Sequence, residues 1–306
     1  MNLAASKPTL ISLDWGTSAL RAYLLDPQGH VLDKRSASKG IMQVQDGDFG
    51  AVLKETIQDW QVYGPLPILA SGMITSRQGW VETSYLPTPT SSLELADALI
   101  AIPWEGHAHI YFVGGVMDQT PEHIDVMRGE ETQLLGAYLS GMPDGWCILP
   151  GTHSKWADIH GGTINQFRTF MTGEVFASLS QHTILKASIA EGDFDEAMYL
   201  KGVDRGLTSG PGLLNHLFHI RASSLFGGLT APQAGNYLSG LLIGHELGGQ
   251  QLNLKGQEQV CLIGSEGLTQ RYATALEHLG FETNLFHPDI VTSGHMAIAQ
   301  RAGLIS

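Results

Sequence analysis

The chain has 306 residues, 43% of them hydrophobic, and a formal net charge of -13 from 17 Lys plus Arg against 30 Asp plus Glu. This length supports a sizeable core and favours two domains over one. The acidic balance repels a phosphate backbone, which argues against a nucleic-acid partner, and no window offers the ~18 apolar residues of a membrane helix. Met1 to Pro8 lacks a charged segment followed by a long apolar one. Cys147 and Cys261 both sit in apolar runs and read as small buried hydrophobes rather than a disulfide framework. A cytoplasmic protein with no membrane partner is expected.

In chain order, Leu10 to Leu25 reads as a hairpin around Asp14-Trp15-Gly16-Thr17-Ser18, and His30 to Ser36 adds a third strand. Phe49 to Tyr63 has helical periodicity, with Phe49, Val52, Leu53, Ile57 and Trp60 on one face. Ile68 to Gly72 and Ile110 to Gly115 read as short buried strands. Gly129 to Leu139 predicts a helix with Glu130 and Glu131 in its first turn. Trp146 to Leu149 and Lys155 to Ile159 predict a second hairpin, followed by a strand from Thr163 to Met171. Helices are expected over Glu174 to Lys186, Phe194 to Thr208, Ala234 to Leu247, Leu268 to Leu279 and Val291 to Ala302, with a strand at Gln259 to Ile263.

The organising feature is an internal duplication. Strand, glycine-bearing turn and strand occur at Leu10 to Leu25 and again at Trp146 to Ile159. In each turn a glycine lets backbone N–H groups approach an anion, and hydroxyls add donors. Asp14, at the end of its strand, can hold a hydrated Mg²⁺. The second turn, Pro150-Gly151-Thr152-His153-Ser154, is followed by Lys155, either a phosphate ligand or a solvated surface charge. Two such turns could clamp a polyphosphate between two domains. Gly264-Ser265-Glu266-Gly267 joins a strand to a helix start, a corner that nucleotides use. No G-x-x-x-x-G-K-[ST], G-x-G-x-x-G, H-R-D or H-E-x-x-H pattern occurs; His245-Glu246 lacks the second histidine.

The order Asp14-x-Gly16-Thr17, Gly151-Thr152 and Gly264-Ser265-Glu266-Gly267 resembles the phosphate-1, phosphate-2 and adenosine motifs of the sugar kinase/Hsp70/actin superfamily. Arg128 to Gly136, Leu149 to Trp156 and Ser71 to Trp80 are more closely similar to the 2-dehydro-3-deoxygalactonokinase family, a resemblance that runs from Leu10 to the end. It implies an α/β fold of two ribonuclease-H-like (actin-like ATPase) domains with a cleft between them, placed at residues 9–128 and 129–306, the last helix packing back on the first domain.

It also implies transfer of phosphate from MgATP to the 6-hydroxyl of 2-dehydro-3-deoxy-D-galactonate in galactonate catabolism, with no macromolecular partner beyond an open homo-oligomeric state. On that resemblance Asp14 would organise Mg²⁺ through water. Gly16, Thr17 and Ser18 would contact phosphates, opposed by Gly151, Thr152, His153, Ser154 and Lys155, with Gly264 and Gly267 bordering the adenosine. The general base would be Glu130 or Glu131, since the family's relatives carry an aspartate about one position away; helix-terminal acids placed for the dipole are the alternative for at least one. Arg77, then Arg128, are the candidates for the substrate carboxylate, with Trp80 and Glu82 as pocket walls or, for Trp80, packing. Alternatives are a kinase for another sugar acid or sugar, and a non-catalytic nucleotide-switched regulatory module; the absence of a DNA-binding segment before Leu10 speaks against the latter.

Overall fold

A computed structural model describes residues 7–104, 109–120, 123–208, 210–250, 254–257 and 259–306. The chain divides into two compact units. Unit 1 comprises Met1–Gly145, Ala157–Phe167 and Pro288–Ser306; unit 2 comprises Trp146–Trp156 and Arg168–His287.

Unit 1 opens with β1 (Leu10–Trp15), β2 (Leu20–Leu25) and β3 (Val31–Ala37), then α1 (Phe49–Ile57) and β4 (Ile68–Ser71). β5 (Leu86–Pro87), α2 (Ser92–Asp97), β6 (Ile100–Ile102), β7 (Ile110–Phe112), β8 (Val116–Thr120), β9 (His123–Met127) and α3 (Glu130–Leu139) follow. The main sheet has the order β3-β2-β1-β4-β7-β6. β1 pairs antiparallel with β2 and parallel with β4, which in turn pairs parallel with β7. Both central strands are mostly apolar and almost wholly buried, as strands covered on two faces must be.

The expected helix over Phe49 to Tyr63 is α-helical only to Ile57 and then tightens to a 3₁₀ turn over Gln58–Tyr63. The three-residue spacing from Ile57 to Trp60 suits the tighter turn and keeps Trp60 in the core, with its indole N–H donating to Asp33 at 2.8 Å.

β10 (Gly145–Leu149), β11 (Ser154–His160) and β12 (Thr163–Phe170) begin the second half, and β11 and β12 run across the division between units. α4 (Thr172–His182), α5 (Glu196–Leu207), α6 (Leu213–Leu225), α7 (Ala231–Gln250), β13 (Gln259–Ile263), α8 (Glu266–His278) and β14 (Glu282–Phe286) complete it, before α9 (Val291–Arg301). The second sheet has the order β12-β11-β10-β13-β14. It repeats the first sheet's plan of three consecutive strands followed by a parallel addition, here β13 on β10 and β14 on β13. Cys147 and Cys261 are buried neighbours across β10 and β13, where burial raises both thiols.

The sequence places a boundary at 128/129; the compact units divide after Gly145. The physical reason is that α3 packs on α9 inside unit 1, so closely that an added Cβ at Gly136 would lie 2.0 Å from the Ile290 carbonyl oxygen. Unit 2 uses the same device. Gly202 and Gly206 of α5 face α7, and Gly240 and Gly244 of α7 face α5, each within 2.4 Å of a backbone oxygen if given a Cβ. Such contact leaves no room for a methyl group. Replacing Gly240 by alanine, whose Cβ would meet the Tyr199 carbonyl oxygen at 1.9 Å, should destabilise the protein. A loss of about 1–3 kcal/mol is expected from overpacking, read as a lower midpoint in thermal or urea unfolding.

Candidate functional site

In unit 1 the candidate residues gather where β1, β4 and the start of α3 meet. Gly72, just beyond β4, has φ 91° and would place a Cβ 2.9 Å from the Trp15 carbonyl oxygen. Gly129, just before α3, has φ 107° and would place one 3.0 Å from the Gly72 Cα. Three backbone segments are therefore in direct contact, and two glycines make it possible. Above them lies the Asp14–Ser18 turn. It closes through the Gly16 N–H on the Ala19 carbonyl at 2.9 Å and is backed by Gly40, whose Cβ would sit 2.3 Å from the Thr17 and Ser18 backbone. Thr17 and Ser18 are exposed, their groups open to a ligand.

Asp14 ends β1 opposite Arg21 of β2, whose Nη1 donates to Asp14 Oδ2 at 2.8 Å. Burial pushes the Asp14 carboxyl above the usual carboxylate range, and Arg21 partly offsets that. Arg21 escaped the sequence reading, although the hairpin register alone puts it across from Asp14.

Glu130 and Glu131 differ. Glu130 is half-buried and accepts the Arg128 N–H at 3.0 Å through Oε2. Glu131 is fully buried; its Oε2 accepts the Gly129 N–H at 2.7 Å, and its Oε1 has no hydrogen-bond partner among the described residues. Burial, with the Glu130 charge beside it, pushes Glu131 up to about 8.

Arg128 and Trp80 are both engaged by the protein itself. Arg128 is not a spare cation. Its Nη1 donates to Thr75 O, Thr75 Oγ1 and Thr83 Oγ1 at 2.6–2.7 Å, its Nη2 to Thr83 O at 3.2 Å, and its Nε approaches Tyr85 OH at 3.4 Å. The guanidinium also lies 4.3 Å over the Tyr85 ring. Arg128 stitches the 75–85 loop to the start of α3. For Trp80 the structure shows the packing alternative: it contacts Trp15, Phe49, Trp104 and Phe112 with ring centroids 5.2–6.5 Å apart. Arg77 differs from both, being exposed at the tip of the Ser76–Gly79 turn.

In unit 2 the turn from Gly151 to His153 precedes β11. α4 begins against it: a Cβ at Gly173 would lie 2.4 Å from the Gly151 carbonyl oxygen, and Glu174 N–H donates to Thr152 O at 2.9 Å. His153 Nε2 pairs with Glu174 Oε2 at 2.6 Å. Lys155 is not a solvated surface charge; it is 6% exposed, with Nζ donating to Thr169 Oγ1 at 2.7 Å. Beside the turn is a cavity of about 590 Å³ whose walls include Gly151, Thr172 and Gly173, Gly235 and Asn236 of α7, and Leu268, Arg271 and Tyr272 of α8. Its size suits a nucleoside-sized ligand. Gly264 and Gly267 do not line it. Gly264 packs against Pro150 at the foot of the turn, and the α8 residues one turn further on form the wall.

Comparison with known proteins then decides the family. The model of 2-keto-3-deoxy-galactonokinase matches residues 14–298. The chain belongs to the 2-keto-3-deoxy-galactonokinase family. It is 33% identical over 270 residues to a 2-dehydro-3-deoxygalactonokinase of Escherichia coli, covering 88% of this chain and 90% of that one. It is 36% identical over 295 residues to a Rhizobium meliloti protein provisionally named as the same kinase, covering 95% and 96%. A crystal structure from Sinorhizobium meliloti, provisionally assigned to that kinase, superposes with a TM-score of 0.87 at 36% identity, covering 96% and 98% of the two chains.

Membership of the 2-keto-3-deoxy-galactonokinase family makes this chain an ATP-using phosphotransferase with an alcohol group as acceptor and accounts for the duplicated sheets as two ribonuclease-H-like domains of the actin-like ATPase type. Among the described residues no helix is long and apolar enough to cross a membrane, and no group of three or more His, Cys, Asp or Glu side chains could hold a metal.

The Glu131 carboxyl provides a test of the unit 1 geometry. Its folded value of about 8 lies above its ordinary value of 4.5. The folded protein therefore keeps a proton that the unfolded chain gives up. Stability from this group is fully present below about pH 4.5 and is lost as pH rises towards 8. Glu131→Gln, which resembles the protonated acid, should remove that slope. Its melting temperature should gain on that of the wild type between pH 5 and pH 8; parallel curves across this range would contradict the burial.

Proposed function

We propose that the enzyme transfers the γ-phosphoryl group of MgATP to the 6-hydroxyl of 2-dehydro-3-deoxy-D-galactonate, a step of galactonate catabolism. The observation that supports it best is the junction of Trp15, Gly72 and Gly129, which puts Asp14 at a strand end and Glu130 at a helix start within one unit. The names of the 33% and 36% identical relatives point to this substrate.

In this reading Glu130 is the general base. It is partly exposed, whereas a hydroxyl cannot reach the fully buried Glu131 without moving α3. Glu130 takes the proton from the 6-hydroxyl as the oxygen–phosphorus bond forms and the bond to the bridging oxygen of ADP breaks. Asp14 suits Mg²⁺ held mainly by water and phosphates: it is a single desolvated carboxylate, with Arg21 on one oxygen only. The ion would neutralise charge on the phosphate oxygens. In unit 1 the phosphate donors are the backbone N–H groups and hydroxyls of Thr17 and Ser18, next to Gly16, whose own N–H closes the turn. In unit 2 they are the groups of Gly151, Thr152 and His153, with the Ser154 hydroxyl held by Glu246, and the cavity beside Gly151 receives the nucleoside. Arg77 takes the substrate carboxylate, for which its planar fork is suited.

Release of ADP should require added sugar acid, with 2-dehydro-3-deoxygalactonate the best of a panel. ATP turnover indifferent to any sugar acid would favour a nucleotide-driven switch instead. Asp14→Ala should lose nearly all turnover, and Glu130→Gln should lower kcat by about 10²–10⁴-fold; near-normal rates would remove these residues from their roles. For Arg77→Ala the KM for sugar acids should rise about tenfold or more, the loss of a charge-assisted pair. Any neutral sugar should be affected far less, and an equal loss for both would reject the carboxylate contact.

A further inference from the structure

Glu246, on α7, is 3% exposed and takes no part in the chemistry above. Four side chains donate to its carboxylate. Ser154 Oγ at 2.8 Å and Trp156 Nε1 at 2.7 Å meet Oε1; Tyr272 OH at 2.7 Å and Thr172 Oγ1 meet Oε2. A carboxylate has about four lone-pair directions, and here each has a donor. The indole N–H can only donate, so the group opposite it must accept.

Burying a carboxylate is costly even when it is fully hydrogen-bonded, and well-packed apolar side chains do as well or better for stability alone. The placement of the donors suggests what the cost serves. Ser154 closes the turn that begins at Gly151; Thr172 opens α4, which abuts that turn through Gly173; Tyr272 lies on α8. Thr172, Gly173, Tyr272 and Gly151 all line the 590 Å³ cavity. A single carboxylate thus joins the turn, α4 and α8. Its own helix is held by the glycine contacts of Gly240 and Gly244 with α5, the second of them two residues before Glu246.

We infer that Glu246 is a positioning residue of the nucleotide site, fixing Ser154, Thr172 and Tyr272 in the arrangement in which the Gly151–Ser154 turn and the cavity wall fit a nucleoside triphosphate. The inference rests on the proposed placement of ATP in unit 2.

It is tested by ATP titration in a calorimeter, separate KM values for ATP and sugar acid, and melting temperature, for the wild type, Glu246→Gln and Tyr272→Phe. In Glu246→Gln the amide NH₂ faces two of the four donors, which must turn or part. ATP Kd and KM should rise about tenfold or more, as for loss of a hydrogen bond to a charged group, with the sugar-acid KM changed less than about twofold. Tyr272→Phe removes one donor and should raise ATP Kd about threefold, again without moving the sugar-acid KM. A merely structural role would lower the melting temperature and move both KM values together. Unchanged ATP Kd in folded Glu246→Gln, or in Tyr272→Phe should the first variant fail to fold, overturns the inference while leaving ATP binding intact. If the wild type itself binds no ATP, the nucleotide reading falls, and this inference with it.

Discussion

Backbone crowding at the end of β1 constrains everything placed around it in unit 1. Gly72 sits against the Trp15 carbonyl, and Gly129 sits against Gly72. Both have positive φ, in which an L side chain would be strained even with room to spare. Because these backbones touch, the end of a strand carrying Asp14 and the start of a helix carrying Glu130 are held by main chain rather than by long side chains. Arg128 then ties the 75–85 loop to the same point through Thr75, Thr83 and Tyr85. A site built this way is pre-organised, since few rotamers must freeze when a ligand arrives.

Three buried or partly buried carboxylates show how environment assigns different work to one chemical group. Asp14 is desolvated but keeps Arg21 beside it. Glu131 is fully desolvated with the Glu130 charge beside it, so it holds its proton well above the ordinary range despite nearby backbone N–H groups. Glu246 is just as hidden, and burial pushes its carboxyl up as well, but four donors converge on it and partly offset that. Residue type is nearly constant across the three; hydrogen-bond supply and neighbouring charge are not.

Much of the fold was legible in the sequence because it is written in local patterns. The two hairpins, the buried strands at Ile68 and Gln259, and the helices near Glu130, Glu196, Glu266 and Val291 follow from apolar runs and glycine-bearing turns. α6 was not legible. Its apolar residues point both ways, and Leu214 and Phe218 are exposed while Ile220 is buried, so no single stripe marks it. The β8–β9 hairpin carries Asp118, Gln119 and Asp125 and hides among polar loops. α2 had a readable start in the Ser91–Glu94 capping box, but six residues leave little periodicity to detect.

By itself the sequence determined the duplicated strand–turn–strand plan, the kinase family resemblance and the residues of the two glycine-bearing turns. All of these depend on neighbours in the chain, where geometry is set by spacing and by which positions need glycine. Only the tertiary structure decided what Arg128, Trp80, Lys155 and Glu246 touch. A guanidinium reads alike in sequence whether it is free or engaged by two threonines and a tyrosine. An indole beside a turn can face a ligand or four other rings. His245-Glu246 matched no motif, because the four donors to Glu246 lie 26 to 92 positions away in the chain. Charge, exposure and hydrogen-bond partners are properties of where distant segments meet, and only folding brings them together.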